Sequence, residues 1–141
     1  MARLPGMLAA MSISAVDLRA IFGSLSAGDP APLLDRLAED CVLEFPGRRF
    51  GGRFEGKRAV RVFLKQNQRL FRGGLAFDVV WAGVAEDRAI VQWTNAGTTR
   101  DGRPYGNRGV TILRIEGGLV KELQDYLDTE RLSETWPREP A

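Results

Sequence analysis

The 141-residue chain has no histidine and a single cysteine, Cys41. Without histidine, neither a Ser-His-Asp nor a Cys-His nucleophile can be assembled. The usual zinc ligand sets cannot be completed either. One cysteine allows no intrachain disulfide, which fits a reducing cytoplasm. No apolar run is long enough to span a membrane, so no membrane partner is expected. Neither sign of charge dominates: 20 Lys and Arg against 18 Asp and Glu leave +2, too little to imply a polyanion such as nucleic acid. Any acid–base chemistry falls to Asp, Glu, Tyr, Lys or Cys, and neither a metal nor an organic cofactor is implied.

What remains is an ordinary globular mix, 44% hydrophobic and 27% charged. The length suits one domain, which buries about two-thirds of its unfolded surface without disulfide or metal. Residues 1–13, broken by Pro5 and Gly6, read as a disordered extension, with Met11 as an alternative start. Residues 14–132 read as the domain, and 133–141, with Pro137 and Pro140, as a flexible tail. Between Arg48 and Arg72 nine basic residues face one acid, Glu55. No aromatic interleaving accompanies them, so they read as a solvated helix face.

Helical patterns come first. Ser14 and Asp17 make a capping box ahead of Leu18, Ile21, Phe22 and Leu25. Asp29 and Pro30 open a second short helix. A short strand, Cys41 to Phe45, precedes a Gly- and Arg-rich loop. The spacing of Val60, Phe63, Leu64, Asn67, Leu70 and Phe71 predicts a helix from Lys57 to Phe71. Asn67 is polar within that stripe, either satisfied in the core or facing a pocket. Four strand-like runs follow, Phe77 to Ala85, Arg88 to Thr99, Pro104 to Ile115 and Leu119 to Asp128, punctuated by Glu86-Asp87, Asp101-Gly102 and Gly117-Gly118. Helices followed by a meander predict an α+β domain, a curved antiparallel sheet wrapped around helices.

Two-residue turns at those three sites set a register. Asp78 then faces Asn95, Asn95 faces Arg108, and Val110 faces Asp125. The expected core face carries Val80, Trp93, Val110, Leu123 and Leu127, with Asp78, Asn95, Arg108 and Asp125 gathered at one end. An apolar cone with one polar end describes a pocket for a small apolar ligand, with Trp93, Asn95, Asn67, Asp78, Phe63 and Val110 as its contacts. Burial raises the pKa of Asp125 unless Arg108 offsets it. Asp125 and Arg108 then either work on a ligand or form a buried ion pair that only fixes the sheet. The opposite face, with Ile90, Leu113 and Tyr126 among polar residues, is a candidate homodimer interface.

Three segments, "VLEFPG", "FEGKRAVRVFL" and "NAGTTRDGRPYGNRGVTILRIEGGLVKELQDYLDTE", resemble the SnoaL-like family of the nuclear transport factor 2 and ketosteroid isomerase superfamily. The resemblance runs from about Val16 to Leu132 and implies a cone-shaped α+β barrel. It implies a last-strand aspartate acting as acid–base, matched here by Asp125 in "VKELQD", in cofactor-independent cyclases, isomerases and epoxide hydrolases. The family also includes non-catalytic members. The pocket histidine of the resembled cyclases and the first-helix tyrosine of the steroid isomerase have no counterpart in this chain.

Overall fold

The computed structural model describes residues 12–137. Two helices lead, α1 (Ala15–Ser26) and α2 (Ala31–Arg36), then β1 (Leu37–Phe45), β2 (Gly52–Glu55) and α3 (Lys57–Arg69). The meander β3 (Ala76–Ala85), β4 (Arg88–Thr98), β5 (Pro104–Glu116) and β6 (Leu119–Leu127) follows, and α4 (Thr129–Thr135) closes the described chain. The six strands form one open sheet in the order β2-β1-β6-β5-β4-β3. The architecture is the expected α+β one, with four differences: β1 starts at Leu37 instead of Cys41, β2 and α4 stand where no element was expected, and β1 runs parallel to β6, so the sheet is mixed. No helix among the described residues is long and apolar enough to cross a membrane.

The capping box forms at α1, with Ser14 Oγ accepting from Asp17 N–H and Asp17 accepting from Ser14 N–H. Its apolar stripe, Leu18, Ile21, Phe22 and Leu25, is buried. Helix α1 lies over β3, and α3 lies over β1 and β2. Under them sits the main core, with Leu18, Val60, Val91, Leu113 and Val120 almost fully enclosed. On the outside of α3, Arg58, Arg61, Lys65 and Arg69 are exposed. The three last-named lie four residues apart along one ridge, as a solvated face does.

The meander departs from the expected register at three places. The β4–β5 connection pairs Thr98 with Pro104. Thr99 N–H bonds Arg103 O, so the loop is the three residues Arg100, Asp101 and Gly102, with Gly102 at φ 89°. A type I turn closed by a left-handed glycine has this form. It slips β5 by one residue, and a one-residue slip turns every side chain to the other face. Asn95 therefore faces Asn107, and Arg108 faces Thr94. A bulge at Val80 shifts β3, so Phe77 faces Asn95 and Asp78 faces Thr94. A second bulge, at Lys121, shifts β6.

These slips correct several expectations. Asp78, Val80 and Arg108 are exposed on the outer face, and Val110 and Ile112 lie on that face too. Leu113, expected outside, is 1% exposed in the core. Thr111 and Tyr105 turn inward.

The ends bear on the two flanking segments. Residues 1–11 and 138–141 lie outside the described residues. Ile13 is buried in the main core. Helix α4 crosses the boundary drawn at Leu132. It is capped by Asp128, whose side chain accepts from Arg131 N–H, and Arg103 Nη1 donates to Thr135 O. The Trp136 ring packs on Phe71 and Tyr105, with centroids 5.5 Å away in each case.

Candidate functional site

Between the inner sheet face and helices α1, α3 and α4 lies a cavity of about 110 Å³. Its scale is that of the roughly 150 Å³ apolar cavities that hold a benzene ring. Its walls are mainly apolar: Phe22 and Leu25 from α1, Phe63 and Leu64 from α3, Leu43 and Phe45 from β1. Trp136 and Leu132 cover the α4 end. The polar groups that line it are few: Asn67, Asn95, Tyr105, Thr111, Asp125 and the Trp93 and Trp136 indoles.

Asp125 reaches this cavity because two register errors cancel. The three-residue loop turns β5 over, and the bulge at Lys121 turns β6 back relative to it. Asp125 therefore stays on the inner face, now opposite Thr111 instead of Val110. The Trp93 indole N–H donates to Thr111 Oγ1 at 2.9 Å, and the Thr111 hydroxyl donates to Asp125 Oδ1 at 2.6 Å. A hydroxyl has one proton. Trp93 occupies a lone pair of Thr111, so that proton is aimed at Oδ1. The transferable proton of Asp125 then belongs on Oδ2, which makes no hydrogen bond among the described residues.

Burial pushes the Asp125 carboxyl up to about 6 from its ordinary 3.8, against the lowering effect of the Thr111 hydrogen bond. A carboxyl titrating there exchanges protons near neutral pH. The ion pair with Arg108 does not form: Arg108 is exposed on the other sheet face. Tyr105 is buried among Phe71 and Trp136. Burial raises its pKa, while a hydrogen bond from Asn107 opposes the rise.

Of the residues singled out in the sequence, Asp125, Trp93, Asn95, Asn67 and Phe63 line the cavity. Arg108, Asp78 and Val110 do not. Thr111 and Tyr105 escaped sequence reasoning, which set both on the outer face. One signal pointed to them. Alternate residues of β5 place either Arg108 and Arg114, or Tyr105, Asn107 and Thr111, on the inner face. Charged arginines are far costlier to bury than neutral polar groups. Among the described residues no group of three or more Cys, Asp or Glu side chains is spaced to hold a metal ion.

A family model described as "SnoaL-like domain" matches residues 18–123. The chain belongs to the SnoaL-like family. Comparison with the curated proteins gives no match. Among solved structures, the SnoaL-like chain is similar to Bal32a, from a soil-derived mobile gene cassette, at TM-score 0.78 and 20% identity over 86% of this chain and 95% of that one. It is similar to a putative SnoaL-like polyketide cyclase from Jannaschia sp. CCS1 at TM-score 0.76 and 16% identity over 99% of both chains. An epoxide hydrolase from M. tuberculosis, of the LEH-like kind, matches at TM-score 0.66 and 17% identity over 92% of this chain and 90% of that one. At these identities the likeness describes the SnoaL-like fold, and the cavity chemistry has to be argued from its own residues.

Proposed function

We propose that this SnoaL-like protein binds a small, largely apolar carbonyl compound or epoxide and turns it over by proton transfer at Asp125, without a cofactor. The observation that carries the reading is the isolated carboxyl: a half-buried Asp125, one oxygen held by Thr111 and the other without a hydrogen bond among the described residues, in an apolar cavity. With a carbonyl compound, Oδ2 takes a proton from the carbon next to the carbonyl and the electron pair moves onto oxygen. Return of that proton at another position gives an isomer. Attack of the resulting enolate on a second carbonyl gives a cyclised aldol. With an epoxide, the same carboxylate takes a proton from water as the water oxygen opens the ring, and the protonated Asp125 returns it to the alkoxide that the ring opening releases, giving the diol. Phe63, Asn67 and Trp93 supply contacts to the ligand. The likeness to a putative cyclase and an epoxide hydrolase adds support of a general kind.

The second reading is a binding module without turnover. It draws on the fact that Asp125 alone among the cavity's lining residues titrates near neutral pH, with no second acid–base group beside it. A panel of small one-ring ketones, aldehydes and epoxides separates these readings. Several compounds are expected to raise the melting temperature of the wild type, and at least one to yield product by mass spectrometry. Binding without product would favour the module, and no binding by any compound would overturn both.

The outer sheet face bears on partners. Val80, Trp81 and Tyr126 are each more than half exposed there, and Ile90 is 38% exposed. We propose that this face joins two copies of the chain in a homodimer. Sedimentation equilibrium is expected to give twice the chain mass for the wild type and a monomer for Trp81→Glu. A monomeric wild type at tens of micromolar would remove the proposal.

A further inference from the structure

Among the described residues, Asn95 carries the one fully enclosed side-chain polar atom without a partner. It is 9% exposed, and its Oδ1 is enclosed and unbonded. A buried acceptor without a donor is costly, so its presence calls for a physical reason.

Its cross-strand neighbour does not serve it. Asn107 lies directly opposite Asn95 on the same sheet face, but its amide is fully committed. Oδ1 accepts from Arg108 N–H and Asp128 N–H, at 2.8 and 3.3 Å. Nδ2 donates to Asp128 O at 3.0 Å and to the Tyr105 hydroxyl oxygen at 2.9 Å. That last bond fixes the role of Tyr105. Its oxygen is the acceptor for Asn107, so its own proton is free, and it finds no acceptor among the described residues. Asn95 and Tyr105 both line the cavity.

A donor without an acceptor and an acceptor without a donor thus line one cavity, with Asn107 bonded to the first and directly across the strand pair from the second. The group that complements both is a hydroxyl, which donates one hydrogen bond and accepts others. A carbonyl has no proton for Asn95 Oδ1, and a carboxylate would set negative charge against it. We propose that Asn95 and Tyr105 form a second polar subsite, separate from Asp125, that takes the hydroxyl of an apolar alcohol or phenol. This rests on the cavity being a ligand site, and it narrows the ligand to a hydroxylated compound. Asn107 is the positioning residue that holds Tyr105 in the donating state.

The test uses three one-ring probes of matched shape: 4-ethylphenol, ethylbenzene and 4-ethylanisole. Their dissociation constants are measured by calorimetry at pH 7 on the wild type, Asn95→Leu and Tyr105→Phe. Both substitutions conserve volume closely, and Asn95→Leu removes an unsatisfied polar group, so the fold should persist. The wild type is expected to prefer the phenol over both analogues by about tenfold. Each variant should lose most of that preference while keeping its affinity for ethylbenzene. Equal binding of all three probes by the wild type overturns the subsite but leaves the cavity reading standing. A phenol preference undiminished in both variants also overturns it, since the hydroxyl is then held elsewhere, as at Asp125. No binding of any probe overturns the subsite together with the ligand-site reading it rests on.

Discussion

Replacing Asp125 by asparagine is expected to cut turnover about 10²- to 10⁴-fold, the usual contribution of a positioned acid–base group, while raising stability at alkaline pH. The two effects have one cause. The native carboxyl titrates at about 6, and its ordinary value is 3.8. Between those values the native state holds more protons than the unfolded state. Stability therefore falls as pH rises through that window, and the loss stays in force above it. At about 1.4 kcal/mol per pH unit, the penalty at pH 8 is of order 3 kcal/mol. Asparagine keeps an acceptor for the Thr111 hydroxyl and carries no charge. The variant should melt several degrees above the wild type at pH 8, and the advantage should fade toward pH 4. Denaturation by calorimetry at the two pH values reads this directly. A variant less stable than the wild type at pH 8 would make Asp125 a structural group. Wild-type kcat/KM should rise with pH through about 6 where Asp125 acts as the base.

Trp93→Ala is expected to cost about 3–5 kcal/mol, a large share of the stability of a domain this size. Trp93 is 3% exposed, and its ring meets Phe77 edge-on with centroids 5.4 Å apart. Its partner across β5 is Gly109. A Cβ placed there would lie 2.7 Å from the indole and 2.5 Å from Tyr126 O, so the ring occupies space that only a glycine leaves open. Truncation empties this space and also removes the indole donor that orients Thr111. Trp93→Phe keeps most of the packing and should cost far less. It frees a Thr111 lone pair, so the Thr111 hydroxyl is no longer oriented from two sides. Urea denaturation of the three proteins ranks them. An alanine variant within 1 kcal/mol of the wild type would show that the cavity collapses around the missing ring.

Local patterns carried most of the architecture. The Ser14–Asp17 box, the α3 stripe from Val60 to Phe71 and the Gly-marked turns are readable because each depends on residues a few positions apart. The last turn, Gly117-Gly118, has the expected length, with Glu116 paired to Leu119. Asp125 was also legible as an inward carboxyl, through its place between Leu123 and Leu127.

What surrounds Asp125 was decided by tertiary structure alone. Side-chain direction along a strand has a period of two, so one extra residue in a loop or bulge reverses it. Asp101-Gly102 reads as a two-residue turn, but Arg100 joins it and Gly102 takes the left-handed position. That single residue moved Arg108 out and brought Thr111 and Tyr105 in. The bulges at Val80 and Lys121 have no local signature, since each answers to the twist and packing of the whole sheet. The sequence by itself determined the family, the helices that lead, the meander that follows, and the carboxyl. The pairing of strands determined its hydrogen-bond partner, the unpartnered amide of Asn95 and the absence of a countercharge, because those depend on register, and register is summed over every loop and bulge between the strands.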